Sequence, residues 1–163
     1  MKKTLVIGFG NIYRRDDGVG FAVVNALREK LGRPPLGIED DGFEDLGHEV
    51  DTVLLHQLVP DLADVVAAYD LVIFVDAHVG ELIAAPIHEE ELVASYETTV
   101  VPHQLHPRTL LTLAQELYGG HTRGVLLSIK GHDFDFGEGL SAETAALVPE
   151  AVTRALALAT DGE

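Results

Sequence analysis

The chain has 163 residues, 47% of them hydrophobic and 23% charged, and this length and composition predict one globular domain over residues 1–163. The formal net charge of −16 argues against nucleic acid or an anionic membrane surface as a partner, because both would repel the chain. The chain has no Cys, which excludes disulfides and thiolate chemistry, and the lack of a signal peptide or of an apolar run of about 18 residues predicts a cytoplasmic protein.

Hydrophobic periodicity predicts strands and helices that alternate along the chain. The predicted strands are Thr4–Phe9, Val50–Leu55, residues 71–75, an edge strand at residues 84–89, and residues 123–130. The predicted helices are residues 18–31, residues 60–69, Pro107–Tyr118, and a last helix from Ser141 to about Ala159. Residues 36–49 and 96–106 are predicted loops. Such alternation is typical of an α/β fold, with a doubly wound, mostly parallel sheet of about five strands between layers of helices.

The first strand leads into the stretch GFGNIYRRDDGVG, which resembles a dinucleotide-binding turn. That interpretation fails because Tyr13 stands where the third glycine of G-x-G-x-x-G belongs. Asp16 and Asp17 would also lie beside a bound pyrophosphate, where like charges repel. The acidic pair therefore indicates a cation site. The alternative is that one of the two carboxylates caps the following helix.

Two further polar positions lie near the ends of predicted elements. Asp76 follows the apolar strand LVIFV, and ligands of parallel sheets bind at the carboxyl ends of strands, near the point where the strand order reverses. We therefore expect Asp17 and Asp76 to face each other across one crevice, although Asp76 could instead cap a turn. His103 lies in a loop expected to close over the same edge, with His78 and His106 as alternatives. Two carboxylates and an imidazole bind a divalent metal with open positions.

Three stretches, GFGNIYRRDDGVG, VIFVDAHVG and VPHQLHP, resemble the signature regions of the nickel–iron hydrogenase maturation proteases. These endopeptidases trim the C-terminal tail of the hydrogenase large subunit. The resemblance preserves order and spacing from the first strand to about Leu140, and HQLVPDLADVV resembles the subgroup that serves soluble, multimeric hydrogenases. It implies a twisted, three-layer α/β sheet with one antiparallel strand.

The resemblance also implies a site. Two carboxylates and a histidine contact the metal in this family, and these roles fall on Asp17, Asp76 and His103. Some members have Glu where this chain has Asp17, and Asp16 is the neighbour that could replace it as ligand. The divalent metal is nickel, carried by the precursor of the large subunit, which is the implied partner and substrate.

The implied activity is that of an aspartic-type, metal-recognising endopeptidase. The residues agree with this activity, because the chain contains neither G-x-S-x-G nor H-E-x-x-H, so a hydrolase would have to activate water through carboxylates or a metal. The catalytic base stays open among Asp17, Asp76 and His103. The alternatives are a non-catalytic nickel-binding maturation chaperone, which would use the same ligands, and a flavodoxin-like nucleotide or flavin binder.

The segment of residues 38–51 carries seven acidic residues and no Lys or Arg. One interpretation is a solvated surface loop, and the other is a docking surface for the basic side of a partner. The acidic residues are Glu39, Asp40, Asp41, Glu44, Asp45, Glu49 and Asp51.

Overall fold

The computed structural model describes residues 2–81, 83–94 and 105–160. Five strands form one sheet: Thr4–Phe9 (β1), Val50–Leu55 (β2), Leu71–Val79 (β3), Ile87–Leu92 (β4) and Arg123–Gly131 (β5). Their order is β2-β1-β3-β5-β4, with β4 antiparallel to β5 and all other neighbours parallel. The predicted α/β sheet with one antiparallel strand is therefore confirmed.

Helices cover both faces of the sheet. The helices are Val19–Lys30 (α1), Ala63–Val66 (α2), Pro107–Tyr118 (α3), Ala142–Ala145 (α4) and Val148–Thr160 (α5). Because strand side chains alternate between faces, Val6 packs with α1 and α5, whereas Leu5 and Ile7 pack with α2 and α3. None of the described helices is long and apolar enough to cross a membrane.

Several predicted boundaries agree with the structure, and others shift for identifiable reasons. β1, β2 and α3 have the predicted bounds. β3 continues four residues beyond the predicted end, because its backbone stays paired with β5 as far as Val79 and Gly131. Asp76 therefore lies inside β3 rather than after it. The edge strand begins at Ile87 rather than residue 84, directly after Pro86.

Two predicted helices are interrupted. The predicted helix at residues 60–69 is a 3₁₀ turn at Pro60–Leu62 followed by the single turn of α2. The last helix is divided into α4 and α5, with a turn in which the Leu147 amide donates to the Thr144 carbonyl. Of the predicted loop at residues 96–106, residues 96–104 lie outside the described residues.

The acidic segment of residues 38–51 is more than a solvated loop. It runs along β2, where the Leu54 amide donates to the Asp41 carbonyl at 2.9 Å. Asp45 accepts a 2.9 Å hydrogen bond from the buried guanidinium of Arg28. The buried Asp51 accepts hydrogen bonds from two backbone amides and from the hydroxyl of Tyr69. Asp45 and Asp51 therefore have structural roles, while Glu39, Asp40, Asp41, Glu44 and Glu49 lie at the surface.

Candidate active site

The turn after β1 is shaped by a glycine that no other residue can replace without strain. Gly10 has φ +145°, and a Cβ at this position would collide with the backbone oxygen of Asp17. The turn therefore packs directly against the 3₁₀ turn Arg15–Gly18, which carries both acidic residues. The Asp17 carboxylate accepts a 2.8 Å hydrogen bond from the Asn11 amide, which ties this side chain to the turn.

A second glycine brings α1 against the sheet. A Cβ on Gly20 would lie 2.6 Å from the Val75 carbonyl oxygen and 3.1 Å from the Phe9 amide nitrogen. The first turn of α1 therefore touches the carboxyl end of β1 and the point on β3 where its pairing with β1 stops. This contact holds the residues just before α1 close to Asp76, which follows Val75.

Asp17 and Asp76 line the same cavity, which has a volume of about 260 Å³. It lies where the strand order reverses, because β1 pairs with β2 on one side and with β3 on the other. Its other lining residues are Phe9, Gly10, His56, Gln57, Leu58, Leu105, His106, Pro107 and Leu126.

The two carboxylates of the cavity are electrostatically coupled. Burial raises the pKa of Asp76 to about 7, a backbone hydrogen bond at Ala77 opposes that shift, and the neighbouring Asp17 carboxylate adds to it. Asp76 is therefore protonated to a larger extent at neutral pH than an ordinary aspartate. A divalent cation in the cavity would remove the repulsion between the carboxylates and favour loss of this proton.

Asp16 has a different environment from Asp17. Its side chain is fully buried and faces away from this cavity toward the segment between β5 and α4. It accepts hydrogen bonds of 2.7–2.9 Å from the amides of His132, Asp133 and Ser141 and from the hydroxyls of Ser141 and Thr144. Burial alone would raise its pKa, but these hydrogen bonds lower it to about 2. Asp16 therefore joins distant segments.

The alternative, in which one of the two carboxylates caps α1, is wrong. The residue at the N-cap is Gly18, which makes no side-chain capping hydrogen bond. The Asp16 carboxylate is engaged by residues 132–144, and that of Asp17 accepts from Asn11, which precedes it. Both carboxylates are thus engaged by donors outside α1, which are in the turn after β1 for Asp17 and in residues 132–144 for Asp16.

The three candidate histidines have different outcomes. His103 lies outside the described residues. His106 lines the cavity, and its Nδ1 accepts a 3.1 Å hydrogen bond from the Arg108 amide at the start of α3. His78 is buried, with its ring nitrogens 2.9 Å from the Ser128 hydroxyl and 2.8 Å from the Ala85 carbonyl. Burial lowers the pKa of His78. Because both of its ring nitrogens have partners within the fold, we assign His78 a structural role.

One lining residue was missed by the sequence analysis. His56 follows β2 directly, at the same edge of the sheet as Asp76. Its ring contacts that of Phe21 on α1, with a centroid distance of 5.9 Å. The rule that ligands gather at the carboxyl ends of strands would have identified this residue.

The described part of the chain does not by itself complete a metal-binding set. Within residues 2–81, 83–94 and 105–160, no three His, Asp or Glu side chains are grouped to hold a metal ion. The two predicted carboxylate ligands share the cavity. The predicted third ligand, His103, is two residues before Leu105, a residue of the cavity wall.

Comparison with solved structures relates this fold to one group of proteins. The hydrogenase maturating endopeptidase HybD from E. coli matches with a TM-score of 0.66 and 22% identity, over 96% of this chain and 91% of that chain. An endopeptidase from Escherichia coli, solved in solution, matches with a TM-score of 0.68 and 21% identity, over 95% of this chain and 90% of that chain. The [NiFe] hydrogenase maturation protease HybD from Thermococcus kodakarensis matches with a TM-score of 0.61 and 20% identity, over 97% of this chain and 99% of that chain.

No protein-family model matches the chain, and no curated protein matches it. At these identities the structural likeness establishes a shared fold. Two of these structures are named as a hydrogenase maturation endopeptidase and a hydrogenase maturation protease, the group that the sequence motifs resemble.

Proposed function

We propose that this chain is an endopeptidase that removes the C-terminal extension of the nickel-loaded [NiFe]-hydrogenase large subunit. The observation that carries the proposal is the pair Asp17 and Asp76, which share one cavity at the carboxyl edge of the sheet. The fold, shared with solved maturation endopeptidases, and the three sequence motifs support it.

Nickel belongs to the substrate in this proposal. Asp17 and Asp76 contact the nickel held by the large subunit, and His103 contributes an imidazole from the segment before Leu105. Two carboxylates close to one divalent cation gain several kcal/mol of Coulomb energy each, at about 4 Å and an effective dielectric near 20. The attraction to the metal positions the scissile peptide bond beside the cavity.

The reaction adds one water molecule across the peptide bond. The water oxygen bonds to the carbonyl carbon, the carbon–nitrogen bond breaks, and the leaving nitrogen takes a proton. The products are a new C-terminal carboxylate on the large subunit and a released tail peptide. The groups available to accept the proton of the water are Asp17, Asp76 and His103.

A processing assay tests the proposal. Purified protein is incubated with nickel-loaded and with nickel-free precursor, and tail release is followed by mass spectrometry. We expect cleavage of the nickel-loaded precursor only, and its loss in Asp17→Asn, Asp76→Asn and His103→Ala. Asp61→Asn, which changes an exposed carboxylate outside the cavity, is the matched control and should cleave like the wild type.

Two outcomes would contradict parts of the proposal. Nickel-dependent binding of the precursor without cleavage would indicate a maturation chaperone with the same ligands. Efficient cleavage of nickel-free precursor would show that the peptide, and not the metal, is recognised by the site.

A further inference from the structure

A second cavity lies on the α1 side of the sheet and shares no lining residue with the candidate active site. It has a volume of about 280 Å³ and runs along the exposed side of the first half of α1, between residues 36–38 and residues 138–140. Its apolar lining comes from Ile12, Phe21, Ala22, Leu36, Ile38 and Leu140. We call this cavity the α1 groove.

Large apolar side chains are exposed around the α1 groove. Ile38, which lines it, is 58% exposed. Phe136, two residues before the lining residue Glu138, is 88% exposed. Tyr13, 49% exposed, follows the lining residue Ile12, and its carbonyl accepts a hydrogen bond from the amide of Gly137. Exposed apolar side chains that cluster beside a groove mark a surface for another protein.

The charges around the α1 groove specify the chemistry of that partner. Glu138 lines it, and Glu39, Asp40 and Asp41 follow Ile38 directly. Among the described residues, the one cation of the lining is Arg15, which lies 3.6 Å from the Asp133 carboxylate, and the exposed Arg14 precedes it. Acidic side chains therefore outnumber basic ones around the groove, and they favour a partner segment with an apolar side chain and flanking Lys or Arg residues.

The α1 groove lies next to the candidate active site. Gly18 lines the groove and is bonded to Asp17, which lines the active-site cavity. Phe21 of the groove is in ring contact with His56 of that cavity. A protein that presents a bond to Asp17 and Asp76 would therefore place its neighbouring surface beside the groove.

We propose that the α1 groove docks a segment of the substrate protein, remote from the scissile bond, that inserts an apolar side chain flanked by basic residues. This inference rests on the proposed function for the identity of the substrate. Docking at a second place would make affinity for the precursor depend on residues that do not touch the reacting bond.

Kinetics of variants test the groove. Ala22→Phe fills it with a larger side chain, whereas Ile38→Ser and Phe136→Ser remove exposed apolar groups at little risk to folding. For each we expect KM for the nickel-loaded precursor to rise about tenfold with kcat nearly unchanged, because the lost contacts serve binding and not the chemical step. The matched controls are Ala157→Phe on α5 and Val93→Ser after β4, both at exposed positions, and both should behave like the wild type.

A charge exchange tests the acidic rim. The double variant Glu39→Lys, Glu138→Lys should also raise KM. The double variant Glu29→Lys, Glu143→Lys changes the net charge by the same amount at exposed sites outside the groove and should raise KM less. Equal effects in the two double variants would show that only net charge matters and would remove basic flanking residues from the proposal.

Direct binding separates this inference from the proposed function. Affinity for the precursor is measured by calorimetry for the wild type, Ala22→Phe and Phe136→Ser, whether or not cleavage occurs. Weaker binding by both variants supports the groove, and unchanged binding overturns it. A wild type that binds but never cleaves overturns the endopeptidase proposal and leaves the groove supported or overturned by these affinities alone.

Discussion

Asp16 and Asp17 are neighbours in the chain, yet their carboxylates meet different partners. They lie in a 3₁₀ turn, in which successive side chains point about 120° apart. Asp16 is directed into a cage of donors from residues 132–144, and Asp17 into the cavity that also holds Asp76. Asp16 is therefore assigned a structural role, and Asp17 is the carboxylate available to a ligand.

Replacement of Asp16 by Asn should destabilise the protein. An amide would place an N–H group against donors and lose the charge-assisted hydrogen bonds, so we expect the free energy of unfolding at pH 7 to fall by about 3 kcal/mol. Because the pKa is about 2 in the folded protein against an ordinary value of 3.8, the stabilisation is complete above about pH 4 and is lost as the pH falls toward 2.

Urea unfolding of the wild type and of Asp16→Asn at pH 7 and pH 3 measures this difference. The stability difference between wild type and Asp16→Asn should be smaller at pH 3 than at pH 7, because part of the stabilisation by the charged Asp16 is lost at the lower pH. Asp61→Asn, at an exposed position, is the control and should unfold like the wild type at both pH values. Equal stability of wild type and Asp16→Asn at pH 7 would contradict the structural role.

Asp76→Asn should have the opposite effect on stability while it abolishes processing. The pKa of Asp76 is about 7 in the folded protein, above the ordinary value of 3.8, so the folded state loses stability as the pH rises through that range. One pKa unit corresponds to about 1.4 kcal/mol of stability, and partial solvent access reduces the free energy that the whole pKa shift would give. We therefore expect Asn to stabilise the metal-free protein by about 2 kcal/mol at pH 8.

The measurement is urea unfolding of wild type and Asp76→Asn at pH 4 and pH 8. The advantage of the variant should be small at pH 4, where the native carboxyl is neutral, and larger at pH 8. A variant less stable than the wild type at pH 8 would show that Asp76 is a structural carboxylate.

Among the secondary-structure elements, α1 holds the site together because its first turn has no side chain where it meets the sheet. Gly20 allows direct backbone contact with Val75 in the middle of β3 and with Phe9 at the end of β1. The two strands and the 3₁₀ turn that carries Asp17 thereby form one packed unit. The close packing at Gly20 explains the sequence motif Gly-x-Gly after the acidic pair.

Gly20→Ala should therefore destabilise the protein although Ala has the higher helix propensity. The propensity gain is about 1 kcal/mol, but the new Cβ would lie 2.6 Å from a backbone oxygen, so we expect a net loss of about 2 kcal/mol or more. The control is Gly120→Ala, whose Cβ would make ordinary contacts of 3.4–3.5 Å and should change stability little. Thermal unfolding of both variants decides the matter, and equal melting temperatures would refute the packing argument.

For the whole molecule, the charge of −16 favours the approach of a partner with a basic surface. We expect KM for the precursor to rise several-fold between about 0.05 and about 0.5 M NaCl, because salt screens long-range attraction to a basic partner surface. Turnover at saturating precursor should stay constant, since the bound complex is already formed. A KM independent of salt would mean that net charge has no part in recognition.

The sequence was sufficient for the fold class and for the edge of the sheet where the acidic residues gather. Local patterns were sufficient for β1, β2 and α3, because a strand between two layers of helices is a short, mostly apolar run, and a helix buried on one face repeats its apolar residues every three or four positions. The order of polar residues after apolar strands was sufficient to bring Asp17 and Asp76 together, because parallel strands end at a common edge. Both results follow from patterns that are local in the chain.

Three features depend on contacts between segments that are far apart in the chain: the separate roles of Asp16 and Asp17, the extra length of β3, and the α1 groove. The donors that surround Asp16 are 116–128 residues away, and β3 continues because β5 pairs with it. The α1 groove is formed by three segments from distant parts of the chain. Contacts of this range leave no periodic trace in the sequence, because each depends on how the elements pack and not on the residues beside it.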